Sequence, residues 1–377
     1  MISAEKEDGS LKRSEGKLNL LIGTALLSPA LRLIPGSAAA LGGTSAWLGP
    51  LAALPLALLY AALLRRLRGT LRPGECFPEL ILRTLSRRFG RALLLLFAGW
   101  LLLYTGFLLR AGADRLQITA YPRSGPSFFV LSMGLLLLTA ALGPFRSLTR
   151  MARVVGPALF LVLLLMLGKA AKSVDCSELL PLGGEELLCS AFPALDLLAF
   201  GLAARFFFSP GRTGKGEAFL PCVGRLGLFS LLLCALGAAI QGRFGAALSA
   251  RLSAPFFALV RNLVFFRSLE RMEALVVGLW ILPDFLLGGL CLQGAQRCLR
   301  LALGQRPEEG ESRLDFSGGR LLIWLCGVVS IALGLLLGRD PASLQHWSRT
   351  IIPLLNLFFS LLVLPAATLL CGRKRMS

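Results

Sequence analysis

Three ionisable side chains interrupt runs of sequence that are otherwise apolar: Arg32, Asp196 and Asp284. A charge at the centre of a membrane-spanning helix costs about 2.5–3.5 kcal/mol on insertion scales, which makes each of them a functional candidate by default. Asp284 follows Pro283 in the run Trp280-Ile281-Leu282-Pro283-Asp284. It has two readings. It could bridge helices by pairing with Arg32 or with backbone donors, or it could meet a ligand amine or a coupling cation. Arg32 stands four residues after Ser28, beside a helix interruption expected there. Tyr104, one of only three tyrosines, would place its hydroxyl at mid-membrane depth, where a bundle hydrogen bond or a ligand contact would satisfy it.

Other chemistry is thin. The chain has no GxSxG, no P-loop, no HExxH and no paired carboxylates in a polar stretch, so it reads as non-enzymatic. His346 is the single histidine and no CxxC occurs, which leaves no constellation for a metal or cofactor. Of nine cysteines, Cys222, Cys234, Cys291, Cys298, Cys326 and Cys371 lie in or beside apolar runs, where cysteine behaves as a small hydrophobe. Cys176 and Cys189 share one loop and could form a disulfide or stand as two thiols.

The elements that must position these residues follow from composition. The 377 residues are 55% apolar and only 16% charged, with a mean hydropathy of +0.71. Soluble domains average roughly 45–50% apolar and about 25% charged. Ten runs are long enough to span a bilayer as helices: 18–42, 46–64, 92–109, 125–143, 151–168, 189–208, 222–241, 273–296, 321–338 and 350–371. The expected fold is an all-α polytopic membrane protein. It has a short tail (1–17), one transmembrane domain (18–371) and a basic tail (372–377). The first run is long, lacks a convincing cleavage site and is followed by nine more, so it reads as a retained span.

The formal charge of +19, from 40 Lys and Arg against 21 Asp and Glu, locates itself on this scaffold. About two thirds of the basic residues fall on the side of the N-terminus, including Arg65, Arg66, Arg68, Arg72, Arg83, Arg87, Arg88 and Arg91 between spans 2 and 3. That bias puts both termini in the cytoplasm. Ending span 3 at residue 109 places Arg110 and Arg115 in the loop that follows. Arginine at span edges, not gathered on one face with aromatic partners, excludes a nucleic-acid binder and marks the lipid bilayer as the anionic neighbour.

Ten spans divide into two sets of five, about 18–168 and 189–371. Five is odd, so span 6 enters from the opposite side to span 1, as an inverted repeat requires. Pro29 removes one backbone donor near the middle of span 1, and Phe200-Gly201 is a permissive point in span 6. Correspondence between the two leading helices points to broken helices 1 and 6, with freed backbone groups at a binding site. Residues 78–89 read as an interfacial helix within the basic loop. Residues 242–271 read as an amphipathic surface helix that turns into span 8 behind a Ser268 cap.

The stretch from Pro255 to Asn262, then Leu269 to Leu275 and Gly278 to Ile281, resembles a characteristic segment of the endospore germination permeases. These are the B subunits of nutrient germinant receptors, of the GerAB/GerKB kind. Leu33-Ile34-Pro35, Ala46-Trp47-Leu48 and Asp175 to Pro181 agree with that resemblance, which extends over nearly the whole chain. The resemblance implies a LeuT-like fold of the amino acid–polyamine–cation transporter superfamily. It implies a receptor for a small nutrient, typically an amino acid, assembled with an A subunit and a lipoprotein C subunit in the spore inner membrane. Ligand contacts in the family come from helices 1, 3, 6 and 8, which here point to Gly23, Ser28, Pro29, Tyr104, Phe200, Gly201, Asp284 and Gly288. Relatives often carry an acidic residue beside the middle of helix 6 and a lysine in helix 8. This chain has Phe200-Gly201-Leu202-Ala203-Ala204 and Leu287 there. An autonomous amino-acid/cation symporter and a non-binding scaffold paralogue are the alternatives.

Overall fold

A computed structural model describes residues 2–119, 121, 123–211, 219–262, 272–305, 320–338 and 340–376. The described chain is helical throughout. It runs α1 (Ile2–Gly42), α2 (Gly49–Leu67), α3 (Phe77–Thr84), α4 (Arg87–Thr119), α5 (Pro126–Leu142), α6 (Phe145–Ala170), α7 (Gly184–Phe208) and α8 (Phe219–Arg251). It continues with α9 (Pro255–Asn262), α10 (Met272–Ala302), α11 (Arg320–Leu336), α12 (Pro341–His346), α13 (Ile352–Leu357) and α14 (Leu364–Met376). The last three are joined into one crossing by π-helical turns at Trp347–Ile351 and Phe358–Val363. Seven apolar stretches are long enough to cross a membrane, one of them Glu15–Thr70, which holds most of α1 and all of α2; the shorter apolar helices α5 and α11 complete ten crossings among the described residues.

Local chemistry sets the ends. Gly42-Gly43 closes α1, with Gly43 at φ +48°, a left-handed conformation that glycine adopts without strain. Pro50 opens α2 in the first turn, where its missing N–H is no loss. At α3 the Glu79 carboxylate accepts from the Cys76 N–H at 2.9 Å, as in a capping box. α3 is shorter than the helix expected over 78–89. Leu85 turns extended and Arg87 already begins α4, so the final residues of that stretch belong to the next span.

The centre of the bundle is α1, packed on α6, α7, α8 and α10, while α4 lies along α10 and α11. The turn between α1 and α2, together with α8, is tied to the segment 171–183. Thr44 Oγ1 donates to Pro181 O at 2.5 Å, and Ser45 Oγ accepts from Gly183 N at 2.8 Å. The Gln241 amide donates to Thr44 O at 2.7 Å and reaches Glu178 O at 3.4 Å. At the other end Arg297 of α10 meets Glu79 of α3 at 2.6 Å, and Gly211 pairs through its backbone with Gly74 and Glu75.

Two expectations about helices 1 and 6 are corrected. α1 runs unbroken past Pro29 and Pro35, and α7 runs unbroken past Pro193 and Gly201. A single proline removes one ladder bond and bends a helix. A full break would leave further backbone groups unpaired in a dry bundle, at several kcal/mol each. Gly201 has a different use. A Cβ there would lie 2.6 Å from Leu26 Cδ1, so the missing side chain lets α1 and α7 approach.

The loop expected over 242–271 is also different. α8 continues to Arg251 with a bend at Gly245 (φ +71°), and a short separate helix, α9, follows. The Ser268 cap lies outside the described residues. Cys176 and Cys189 are exposed free thiols.

Candidate functional site

Where α1, α4, α9 and α10 meet, the bundle encloses a charged cluster. Arg115 Nη2 of α4 donates to Asp284 Oδ2 of α10 at 2.5 Å, with side chains only 2% and 4% exposed. Arg115 Nη1 also donates to Ser28 Oγ of α1 at 3.3 Å. Its guanidinium lies 5.5 Å from the ring centroid of Phe257 on α9, a cation–π distance. Gly112, one turn before Arg115, allows close packing here: a Cβ there would come within 3.7 Å of Asp284 Oδ2 and 2.7 Å of Met133 Cε.

Arg32 of α1 completes the cluster from the other side. Its guanidinium stands 5.3 Å from the Phe107 ring centroid, and none of its three nitrogens has a hydrogen-bond partner among the described residues. Asp284, Arg115, Tyr104 and Asp114 are its electrostatic neighbours. The partner of Asp284 is therefore Arg115 and not Arg32. Asp284 Oδ1 remains without a hydrogen bond among the described residues.

Arg115 escaped the sequence reading because span 3 was ended at residue 109. The helix continues to Thr119 and carries Arg110 and Arg115 into the protein, 7% and 3% exposed. A usable signal was present. No proline occurs between Trp100 and Pro122, so nothing stops the helix where its hydropathy falls. Arg110 is held separately, donating from Nε to Gly338 O at 3.0 Å.

The remaining expected site residues divide around this cluster. Tyr104 is buried, with its ring 5.0 Å from that of Phe200 and 6.4 Å from that of Phe107. This makes an aromatic path from α7 to Arg32. Phe200 also lines an apolar cavity of about 20 Å³ with Trp100, Leu101 and Leu290. Pro29 lines another cavity, of about 10 Å³, together with Asp196 and Arg349. Each holds about one water molecule at most. Asp196 faces the Asn356 amide, whose oxygen accepts from Trp100 Nε1 at 3.1 Å.

Three glycines were expected at the ligand, and the structure places them otherwise or apart. Gly201 sits at the α1–α7 crossing described above. Gly288 sits against α5, where a Cβ would come 2.8 Å from Leu137 Cδ2. Gly23 has no neighbour within 4 Å of such a Cβ, so packing makes no demand there. Ser28, Tyr104 and Asp284 are the expected residues that the fold brings to the cluster. Leu287 is buried in the core at 1% exposure.

The arrangement brings together, away from water, a carboxylate with an open oxygen, a guanidinium without a hydrogen bond and aromatic walls. Among solved structures, the chain is similar to MHP1, a nucleobase-cation-symport-1 family transporter seen closed with bromovinylhydantoin bound. The two share 14% identity at a TM-score of 0.64, over 95% of this chain and 79% of that one. It is also similar to a Na+-coupled sialic acid symporter in a substrate-bound outward-open state, at 12% identity and a TM-score of 0.52, over 91% and 79%. At these identities the likeness shows the fold alone, that of the LeuT-type transporters. No curated protein matches the chain by sequence. Residues 14–333 match the spore germination proteins, and with most of its length accounted for in this way the chain belongs to the spore germination permease family.

Proposed function

We propose that this chain is the transmembrane subunit of a spore nutrient germinant receptor, binding a small nutrient, an amino acid above all, within the bundle. The observation that carries this reading is the buried cluster of Ser28, Arg32, Arg115 and Asp284 in a member of the germination family. Charges at such depth are retained where they pair or where they serve a ligand, and Arg32 has no ion pair among the described residues. A ligand would bind by parting α1, α4 and α10, which are closed around the cluster, and so would favour one conformation by its difference in affinity.

In this reading the signal passes to a larger A subunit and a lipoprotein C subunit. The membrane is the spore inner membrane, with both termini in the cytoplasm. The basic excess on one side of the spans supports that orientation. The test is a thermal-shift panel of amino acids, sugars and nucleosides on the purified chain, paired with germination of spores carrying Asp284→Asn. A saturable shift by one nutrient, together with loss of germination to that nutrient, is the expected result. No shift with any ligand favours the scaffold paralogue.

The likeness of the fold to two cation-coupled symporters supports a second reading, an autonomous amino-acid/cation symporter. Counterflow in liposomes separates the two. Gradient-driven uptake by the isolated chain would favour the symporter.

A further inference from the structure

Charge balance around Arg32 says what kind of ligand the cluster takes. Arg32 is 8% exposed, and its three guanidinium nitrogens have no hydrogen bond or ion pair among the described residues. The charged groups that face it are Arg115 and Asp114 of α4 and Asp284 of α10. Asp284 is engaged by Arg115 at 2.5 Å, and Asp114 is shared between Arg110, whose influence is the larger, and Arg32. Three arginines thus stand against two aspartates, with one positive charge left over at Arg32. A second unsatisfied donor lies on the same helix as Asp284. Trp280 lies one turn before Asp284, is fully buried, and its indole N–H has no partner among the described residues.

A buried cation that no carboxylate touches is unfavourable, and a site with one surplus positive charge is completed by a monoanion. The guanidinium fork matches the two oxygens of a carboxylate, which a spherical anion cannot reproduce. Backbone recognition is not offered here. α1 is continuous through this depth, so it presents no helix N-terminus to an anion.

We propose that Arg32 is the anchor for the carboxylate of the ligand, which binds as its monoanionic end between α1, α4 and α10, with the Arg115–Asp284 pair left intact beside it. The proposal rests on reading this cluster as the ligand site. Carboxylate binding replaces the Phe107 contact of the guanidinium with an ion pair, so it favours the conformation in which α1 stands away from α4.

The experiment measures thermal unfolding of the purified full-length chain in detergent at pH 7 and constant ionic strength. The probes are propionate, propionamide, propylammonium, chloride and glucose. Propionate is expected to raise Tm saturably while its neutral and cationic isosteres and chloride do not. Arg32→Gln, which removes an uncompensated charge, is expected to keep or raise the ligand-free Tm yet bind propionate at least about thirtyfold more weakly. Arg32→Lys, retaining charge but not the fork, is expected to bind with intermediate strength.

A propionate response retained in Arg32→Gln, or one matched by chloride or propionamide, overturns the anchor. A response to glucose or propylammonium alone also overturns it but leaves the cluster standing as a ligand site. No response to any of the five overturns both.

Discussion

Arg115 of α4 and Asp284 of α10, 169 positions apart in the chain, meet at 2.5 Å in a setting that leaves their side chains 2% and 4% exposed. Removing one partner of such a pair strands the other charge, at about 3–5 kcal/mol, while replacing both with apolar groups is often neutral. Asp284→Leu is therefore expected to destabilise the protein by that amount. The double replacement Arg115→Leu with Asp284→Leu should recover most of it. Thermal unfolding of the single and double variants decides the point, and equal losses in both would rule out the pair as the source.

At the opposite end of α10, one carboxylate makes two contacts. Glu79 Oε1 accepts from Arg297 Nη2 at 2.6 Å, and Glu79 Oε2 accepts from the Cys76 N–H at 2.9 Å. Glu79→Gln keeps an acceptor for the cap, worth about 0.5–2 kcal/mol, and loses the charge. Glu79→Ala loses both. Proteolysis of the 68–86 segment is expected to rise in the order native, Gln, Ala. Identical rates for Gln and Ala would mean that the cap contributes nothing.

Helix α4 carries an internal control for close packing. A Cβ at Gly106 would come 2.8 Å from Leu333 Cβ and 2.9 Å from Ser330 O, where α4 crosses α11; at Gly99 it would meet nothing within 4 Å. Gly106→Ala is expected to destabilise by about 1–3 kcal/mol through overpacking. Gly99→Ala is expected to be neutral or to gain up to about 1 kcal/mol from helix propensity. Unfolding in a denaturant series on both variants would show the contrast, and equal effects would remove the crossing as its cause.

The turn that follows α6 is set by Asp175, whose carboxylate accepts from Ser177 Oγ at 2.7 Å and Ser177 N at 2.9 Å. These bonds, the side-chain one first, hold its carboxyl below the ordinary aspartate range. The sign follows from linkage. A group with a depressed folded pKa stabilises above the unfolded value of about 3.9, and that contribution fades as pH falls through the folded value. Amide exchange at residues 177–180, corrected for intrinsic rates, is expected to quicken below about pH 4. Asp175→Asn should flatten that dependence. A flat native profile would show that the bonds do not order the turn.

Cys176 and Cys189 are exposed thiols near one end of the bundle, whereas Cys76, Cys234, Cys291, Cys298, Cys326 and Cys371 are buried. If the termini are cytoplasmic, as proposed, a membrane-impermeant maleimide added from outside should modify the first two on intact membranes. The buried six should react only after unfolding. Labelling of Cys176 and Cys189 that requires opened membranes would reverse the proposed orientation.

How much of this was legible beforehand depends on what each feature is made of. Hydropathy is a local quantity read against the thickness of a bilayer. It therefore located the spans and the presence of Arg32, Asp196 and Asp284 inside them. Helix continuity was misread where it turned on neighbours. Pro29 and Gly201 look like breaks in isolation, but one is absorbed within an unbroken α1 and the other is the close approach of α7 to Leu26.

The pairing of the buried charges was decided by tertiary structure alone. Asp284 had a plausible partner in Arg32, and only the packing of α4 along α10 gave it Arg115 and left Arg32 uncommitted. An ion pair in a low-dielectric interior depends on distances of a few ångströms between helices remote in the chain. Periodicity along one helix carries no information about such distances. What the sequence determined is that charges would be buried; which of them would be left over for a ligand is a property of the fold.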